Sequence, residues 1–169
     1  MLSLVSSAIL CQNISNLDNN HRFKNITIGM PINILNGKLQ FIENKGDFTI
    51  YKSTDINLYS IFDVKMDLVC IISKENKVYA IEVSKRYKAS EQPNKAITFS
   101  TTELDALESG LTNQYGKPTH YLKDSNSKYT RIGSQWQSHS YTANCFIDFY
   151  GTFEGYMIYF SLSQLSVDF

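Results

Sequence analysis

No residue type that marks a specialised chemistry is abundant in this 169-residue chain. It holds three cysteines, three histidines, three prolines, eight glycines and one tryptophan, and its 16 basic residues balance 16 acidic ones. Each scarcity excludes something. So little proline and glycine argues against a low-complexity or disordered chain. Balanced charge with no basic stripe removes the electrostatic footprint expected of a nucleic-acid binder. The densest cationic cluster, Lys85-Arg86-Tyr87-Lys88, is short and reads as a solvated strand end. No apolar run is long enough to span a membrane. His21, His120 and His139 have no HxxxH or HExxH spacing, so no metal is expected. A glycine-rich phosphate loop, a GxSxG elbow and a paired-carboxylate motif are all missing, so no cofactor is expected and catalysis is disfavoured.

The cysteines, Cys11, Cys70 and Cys145, lack CxxC or metal-ligand spacing. Cys70 and Cys145 both fall in alternating stretches, on positions that read as inward. Two buried thiols behaving as small hydrophobes is the favoured reading. The sharper alternative is a Cys70–Cys145 disulfide, which requires an oxidising compartment. Residues 1–11 look like the apolar part of a secretory signal without its cationic start, and Ala8-Ile9-Leu10-Cys11 makes a poor lipobox. Periplasmic or exported placement is the expectation, with the cytoplasm as the alternative.

What the chain does contain is aromatic β sequence around one well-marked helix. Leu104, Leu107, Leu111 and Tyr115 follow helical spacing, Thr102 is placed to cap the start, and Glu103 and Asp105 suit the first turn. Gly116 and Pro118 end it, so a helix is expected over 102–115. Ile32-Asn33-Ile34-Leu35 predicts a short helix after Pro31, stopped by Asn36-Gly37.

Period-two patterning supplies the strands. A short one is expected around Phe48 and Ile50. The longest alternation places Phe62, Val64, Met66, Leu68, Cys70 and Ile72 on one face, followed by a polar turn at 73–77 and a return strand over 78–85 carrying Tyr79, Ile81 and Val83. Beyond the main helix come strands at 120–123 and 128–138. A further strand has Tyr141, Ala143, Cys145, Ile147 and Phe149 inward. After a glycine-flanked turn at 151–155, the last one lines up Tyr156, Ile158, Phe160 and Leu162. Hairpin-linked strands without regular crossover helices give an α+β fold. The expectation is an antiparallel sheet of about six to eight strands with the helix on one face. The chain is read as a single domain, 1–169, with tandem helix-meander halves at 26–88 and 100–165 as a finer division.

Two fragments carry a resemblance. Ile28-Gly29-Met30-Pro31 leading to Ile34-Leu35-Asn36-Gly37 is similar to the opening of BamE/SmpA-type outer-membrane assembly lipoproteins. Leu107 to Pro118, ending Tyr115-Gly116-Lys117-Pro118, resembles a helix end of small exported bacterial proteins. Both look like parts of the helix-then-meander units of the β-lactamase-inhibitor-protein type. The resemblance implies a curved sheet that grips a partner protein. It carries over no site residues.

Candidate functional residues come from the second face of the strands. If Cys145 and Phe149 point inward, Phe146 and Tyr150 point outward, and Met157 and Tyr159 do the same on the next strand. Large rigid rings on an open face suit protein contact. Phe146, Tyr150, Met157 and Tyr159, with Trp136, are therefore the candidate binding residues, and Asp148 and Glu154 are expected at a polar rim. The expected function is a non-enzymatic protein-binding module, an inhibitor or immunity-type protein of the bacterial envelope. Its alternatives are a BamE-like assembly lipoprotein and a cysteine-dependent hydrolase using His139, Cys145 and Asp148.

Overall fold

Tight two-residue turns set the architecture. Glu75 and Asn76 both have positive φ, as do Phe62 and Asp63, while Gly46 and Lys24 each open a further hairpin loop in the same region. Such turns match the twist of antiparallel partners and lock their register. The computed structural model describes residues 16–88, 93–126, 128–150 and 155–165. The signal-like stretch 1–11, with Cys11, and most of the 151–155 turn, with Glu154, lie outside the described residues.

In chain order the strands are β1 (Arg22–Phe23), β2 (Ile26–Thr27), β3 (Leu39–Lys45), β4 (Phe48–Ser53), β5 (Ser60–Ile61), β6 (Val64–Lys65), β7 (Leu68–Lys74) and β8 (Lys77–Tyr87). After the long helix Pro93–Tyr115 come β9 (His120–Ser125), β10 (Thr130–Gln137), β11 (Tyr141–Phe149) and β12 (Tyr156–Gln164). Eight of them form one antiparallel sheet in the order β3-β4-β7-β8-β12-β11-β10-β9, and β1-β2 and β5-β6 are separate ribbons. The fold is thus α+β, with one large antiparallel sheet and one main helix. Two meanders, β3-β4-β7-β8 and β9-β10-β11-β12, meet where β8 pairs with β12 from Tyr87↔Tyr156 to Ala80↔Ser163.

The long helix lies on one face of β10, β11 and β12. Its stripe of Leu104, Leu107, Leu111 and Tyr115 is buried, and each such side chain contributes roughly 1.5–3 kcal/mol of transfer free energy. Beneath it lie Ala143, Cys145 and Ile147 of β11 and Ile158, Phe160 and Leu162 of β12. The same face of β7 and β8 is covered by the 3-10 turns Ile32–Leu35 and Ile56–Tyr59 and by the β5-β6 hairpin. The Phe62 ring lies across Gly110: an added Cβ there would stand 2.3 Å from it.

Gly116 takes φ +90° and its N–H donates to Thr112 O, so the helix stops where its sequence says. Its start differs. The helix begins at Pro93, nine residues before Thr102, and the Thr102 hydroxyl donates to Thr98 O within it. Thr102 is therefore an interior residue bonding back to the preceding turn. Glu103 consequently does not serve a first turn; it meets Lys85 Nζ at 2.7 Å and accepts from the Tyr87 hydroxyl.

Two strand expectations also change. The alternation from Phe62 to Ile72 is a hairpin followed by a strand: Phe62-Asp63 form the hairpin turn, and a bend at Asp67 breaks the alternation before β7. Val64 and Met66 are buried, but in β7 it is Val69 and Ile71 that point into the core, and Leu68 and Cys70 that point away. In β8 the irregularity near Tyr79 brings Val78 into the core beside Ile81 and Val83.

Candidate binding face

Alternation along β11 and β12 makes the site. With Cys145, Ile147, Ile158 and Phe160 committed to the helix side, Phe146, Asp148, Met157 and Tyr159 must emerge opposite. Among the described residues no helix covers that opposite face, and Phe146, Met157 and Tyr159 are only half-buried there. The β10–β11 hairpin turns at Ser138-His139-Ser140, where the Ser138 N–H donates to Tyr141 O and the Tyr141 N–H to Ser138 Oγ. That turn fixes the register, placing Arg131 opposite Asp148 and Gly133 opposite Phe146. Gly133 is a close approach: a Cβ there would meet the Cys145 carbonyl oxygen at 2.1 Å.

The open face is hollowed over β10, β11 and β12, enclosing about 730 Å³. At its floor Arg131 grips Asp148 in a two-pronged pair, Nε to Oδ1 at 2.7 Å and Nη2 to Oδ2 at 2.8 Å. The Asp148 side chain is 2% exposed and that of Arg131 31%. The guanidinium lies 3.8 Å from the Phe146 ring centroid and 5.0 Å from that of Tyr129. Phe146 and Tyr159 rings pack at 5.0 Å, the Tyr150 and Tyr159 hydroxyls meet at 3.0 Å, and the Tyr150 hydroxyl also reaches Asp148 Oδ2 at 3.3 Å. The Asp148 bonds raise the Arg131 pKa further above its ordinary value, so this guanidinium stays charged at every accessible pH. Burial, reinforced by the Tyr159 bond, pushes the Tyr150 phenol well up, so it remains a neutral donor.

Four of the five candidate residues, Phe146, Tyr150, Met157 and Tyr159, thus share one face. Trp136 does not. It is 1% exposed on the helix side, where its Nε1–H donates to Gly116 O at 2.8 Å and its ring meets Tyr115 edge-on. Asp148, expected at a rim, is instead the buried partner of Arg131. Arg131, Tyr129 and Lys128 were not among the expected site residues. The turn at 138–140 carried the missing signal, since a loop centred there pairs residue 131 with residue 148.

Cys70 and Cys145 are both free thiols. They lie on opposite faces, separated in the sheet by β8 and β12, so the alternative of a bridge between them is not formed, and of the two thiols only Cys145 is fully buried. Burial raises both pKa values, and Cys145 far more than Cys70. The hydrolase residues are likewise dispersed. The His139 side chain is 81% exposed at the hairpin tip, 3.6 Å from Asp18 Oδ2, while Cys145 and Asp148 project from opposite sides of β11. Among the described residues no three His, Cys, Asp or Glu groups are placed to hold a metal ion, and no helix is long and apolar enough to cross a membrane.

What the arrangement offers is a preorganised polar clamp set in an aromatic surface. Comparison with known proteins finds no matching family model, no matching curated protein and no matching solved structure.

Proposed function

We propose that the chain is a non-enzymatic protein-binding module whose contact surface is the open face of β10, β11 and β12. The observation that carries this reading is the half-buried ring set Phe146, Tyr150 and Tyr159, gathered on a face that no described helix covers. Rigid aromatic rings give contact area at low entropic cost, and a hot spot is an apolar centre with a few polar anchors. Arg131 and Asp148 supply those anchors. Inhibitor or immunity action at a bacterial envelope, in the periplasm, is the biological setting we attach to this surface, following the resemblance of the Ile28–Gly37 and Leu107–Pro118 segments.

The test is capture of a partner from native extract on immobilised protein, with Tyr159→Ala and Met157→Ala as parallel baits. A partner retained by the wild type and weakened by upward of ~1 kcal/mol in each variant supports the reading. Equal retention by all three baits, with a lowered melting temperature in the variants, would show these side chains to be structural and would remove the proposed surface.

A further inference from the structure

The open face is unequal in what it leaves unspent. Asp148 is committed: its two oxygens take both Arg131 bonds, and Oδ2 also takes the Tyr150 hydroxyl. With its hydrogen given to Asp148, the Tyr150 hydroxyl accepts from that of Tyr159. Arg131 is not saturated. Of its five N–H donors, the Asp148 clamp uses one on Nε and one on Nη2, and Nη1 has no partner among the described residues. Lys128, on the loop entering β10, also lines the hollow, and its ammonium has no ion-pair partner there. Glu82, the other carboxylate of the lining, is exposed on β8, three strands from Arg131 in the sheet. The β10 end of the hollow therefore presents donors and positive charge, and the aromatic rings Phe146 and Tyr159 follow directly beside it.

We infer that the Arg131–Lys128 end of the hollow receives an acidic side chain of the partner, carried on an extended segment whose neighbouring apolar side chain lies over Phe146 and Tyr159. This rests on the protein-binding reading above and names the group that is recognised. The chemistry is ordinary. A guanidinium held on one edge by Asp148 and seated over the Phe146 ring is already oriented, so its free edge can take a second carboxylate without the entropic cost of ordering a long side chain. In an extended segment, residues two apart project from one side about 7 Å from each other. That matches a carboxylate on the guanidinium edge with an apolar group on the ring packed beside it.

The experiment is a titration of full-length ¹⁵N-labelled protein, following the backbone amides of Gly133, Phe146 and Tyr159 and the Arg131 Nε–H. The probes are acetyl-Glu-Ser-Phe-amide, acetyl-Gln-Ser-Phe-amide and acetyl-Gln-Ser-Phe with a free terminal carboxylate. Saturable shifts are expected with the Glu peptide at about 10 mM, given an affinity of ~1 mM for so small a ligand. The Gln amide should bind about tenfold more weakly, the loss of one charge-assisted bond. Lys128→Glu, on the loop and outside the Arg131–Asp148 pair, should abolish the Glu preference with the folded spectrum retained. Equal binding of the Glu and Gln amides, or no saturable shift with any probe, would overturn the proposal. Preference for the free-terminus peptide would overturn it too, assigning the edge to a chain end instead. If a partner is still captured in a Tyr159-dependent way after such a result, the protein-binding reading stands and only the acidic recognition falls.

Discussion

The two faces of β11 and β12 are built from alternate residues of the same strands and have opposite characters. On the helix side, Cys145, Ile147, Ile158 and Phe160 are sealed under an apolar stripe. On the open side, Phe146 and Tyr159 stay half-buried and surround a charged pair. The sealed face is stabilised by removal of apolar area from water, which is additive and tolerant of sequence detail. The open face is organised by hydrogen bonds and ring stacking around Asp148, which must be satisfied or it destabilises the fold. One face therefore loses stability in proportion to the apolar volume removed. The other loses it in a step, when either member of the charged pair is left alone.

The comparison can be broken first on the sealed side. Phe160→Ala should cost about 3–5 kcal/mol, measured by urea unfolding, because it empties a fully enclosed site against Phe23. A cost under ~1 kcal/mol would mean that the helix does not seal this face. On the open side, Arg131→Leu should cost about 2–4 kcal/mol by leaving the Asp148 carboxylate buried and unpaired. The double variant with Asp148→Leu should recover part of that loss; no recovery would show that the pair is not the organising element. Gly133→Ala should cost roughly 1–3 kcal/mol, since its methyl group meets β11 backbone that has little freedom to yield. Thiol labelling sharpens the contrast without altering stability. Because burial lifts the thiols above their ordinary pKa, reaction should be slow near neutrality and rise with pH for Cys70, while Cys145 stays protected until unfolding. Peptide mapping showing equal modification of both would place Cys145 near solvent. Smallest of all, Thr102→Ala should change stability by under ~0.5 kcal/mol, as suits an interior helical position. A loss near 1 kcal/mol would restore it to a capping role.

Thr102 also shows where sequence reading succeeds at one helix end and fails at the other. Helix ends are written in local chemistry, so Gly116 and Pro118 marked the stop correctly. Threonine, however, caps and back-bonds with the same hydroxyl, and Pro93 at the first helical position was the better start signal. The α+β class, the hairpin near residues 73–77 and the inward faces of β11 and β12 all followed from periodicity. Edge strand β3 did not, because its residues from Gln40 onward are exposed and a register shift between Phe41 and Glu43 breaks its alternation. The bend at Asp67 between β6 and β7 was hidden inside an unbroken alternation: it puts Met66 and Val69, three apart, both in the core, and missing it reversed the facing assigned to Leu68 and Cys70. At the site, the outward rings were legible from alternation alone. The Arg131–Asp148 clamp was not, since two residues 17 apart become neighbours only once the hairpin register is counted.

The seam between β8 and β12 has a consequence for how the molecule is made. β12 follows β8 by roughly 70 residues in the chain, yet it fills the slot between β8 and β11 at the middle of the sheet. Until β12 is in place, β8 has no partner on that side, and the long helix and three further strands precede β12 in the chain. That edge is a template for strands of other nascent chains, and closing it requires a contact of high sequence separation, which is slow to form. Pairing of β12 therefore does two things at once: it joins the two meanders and withdraws the β8 edge from competition.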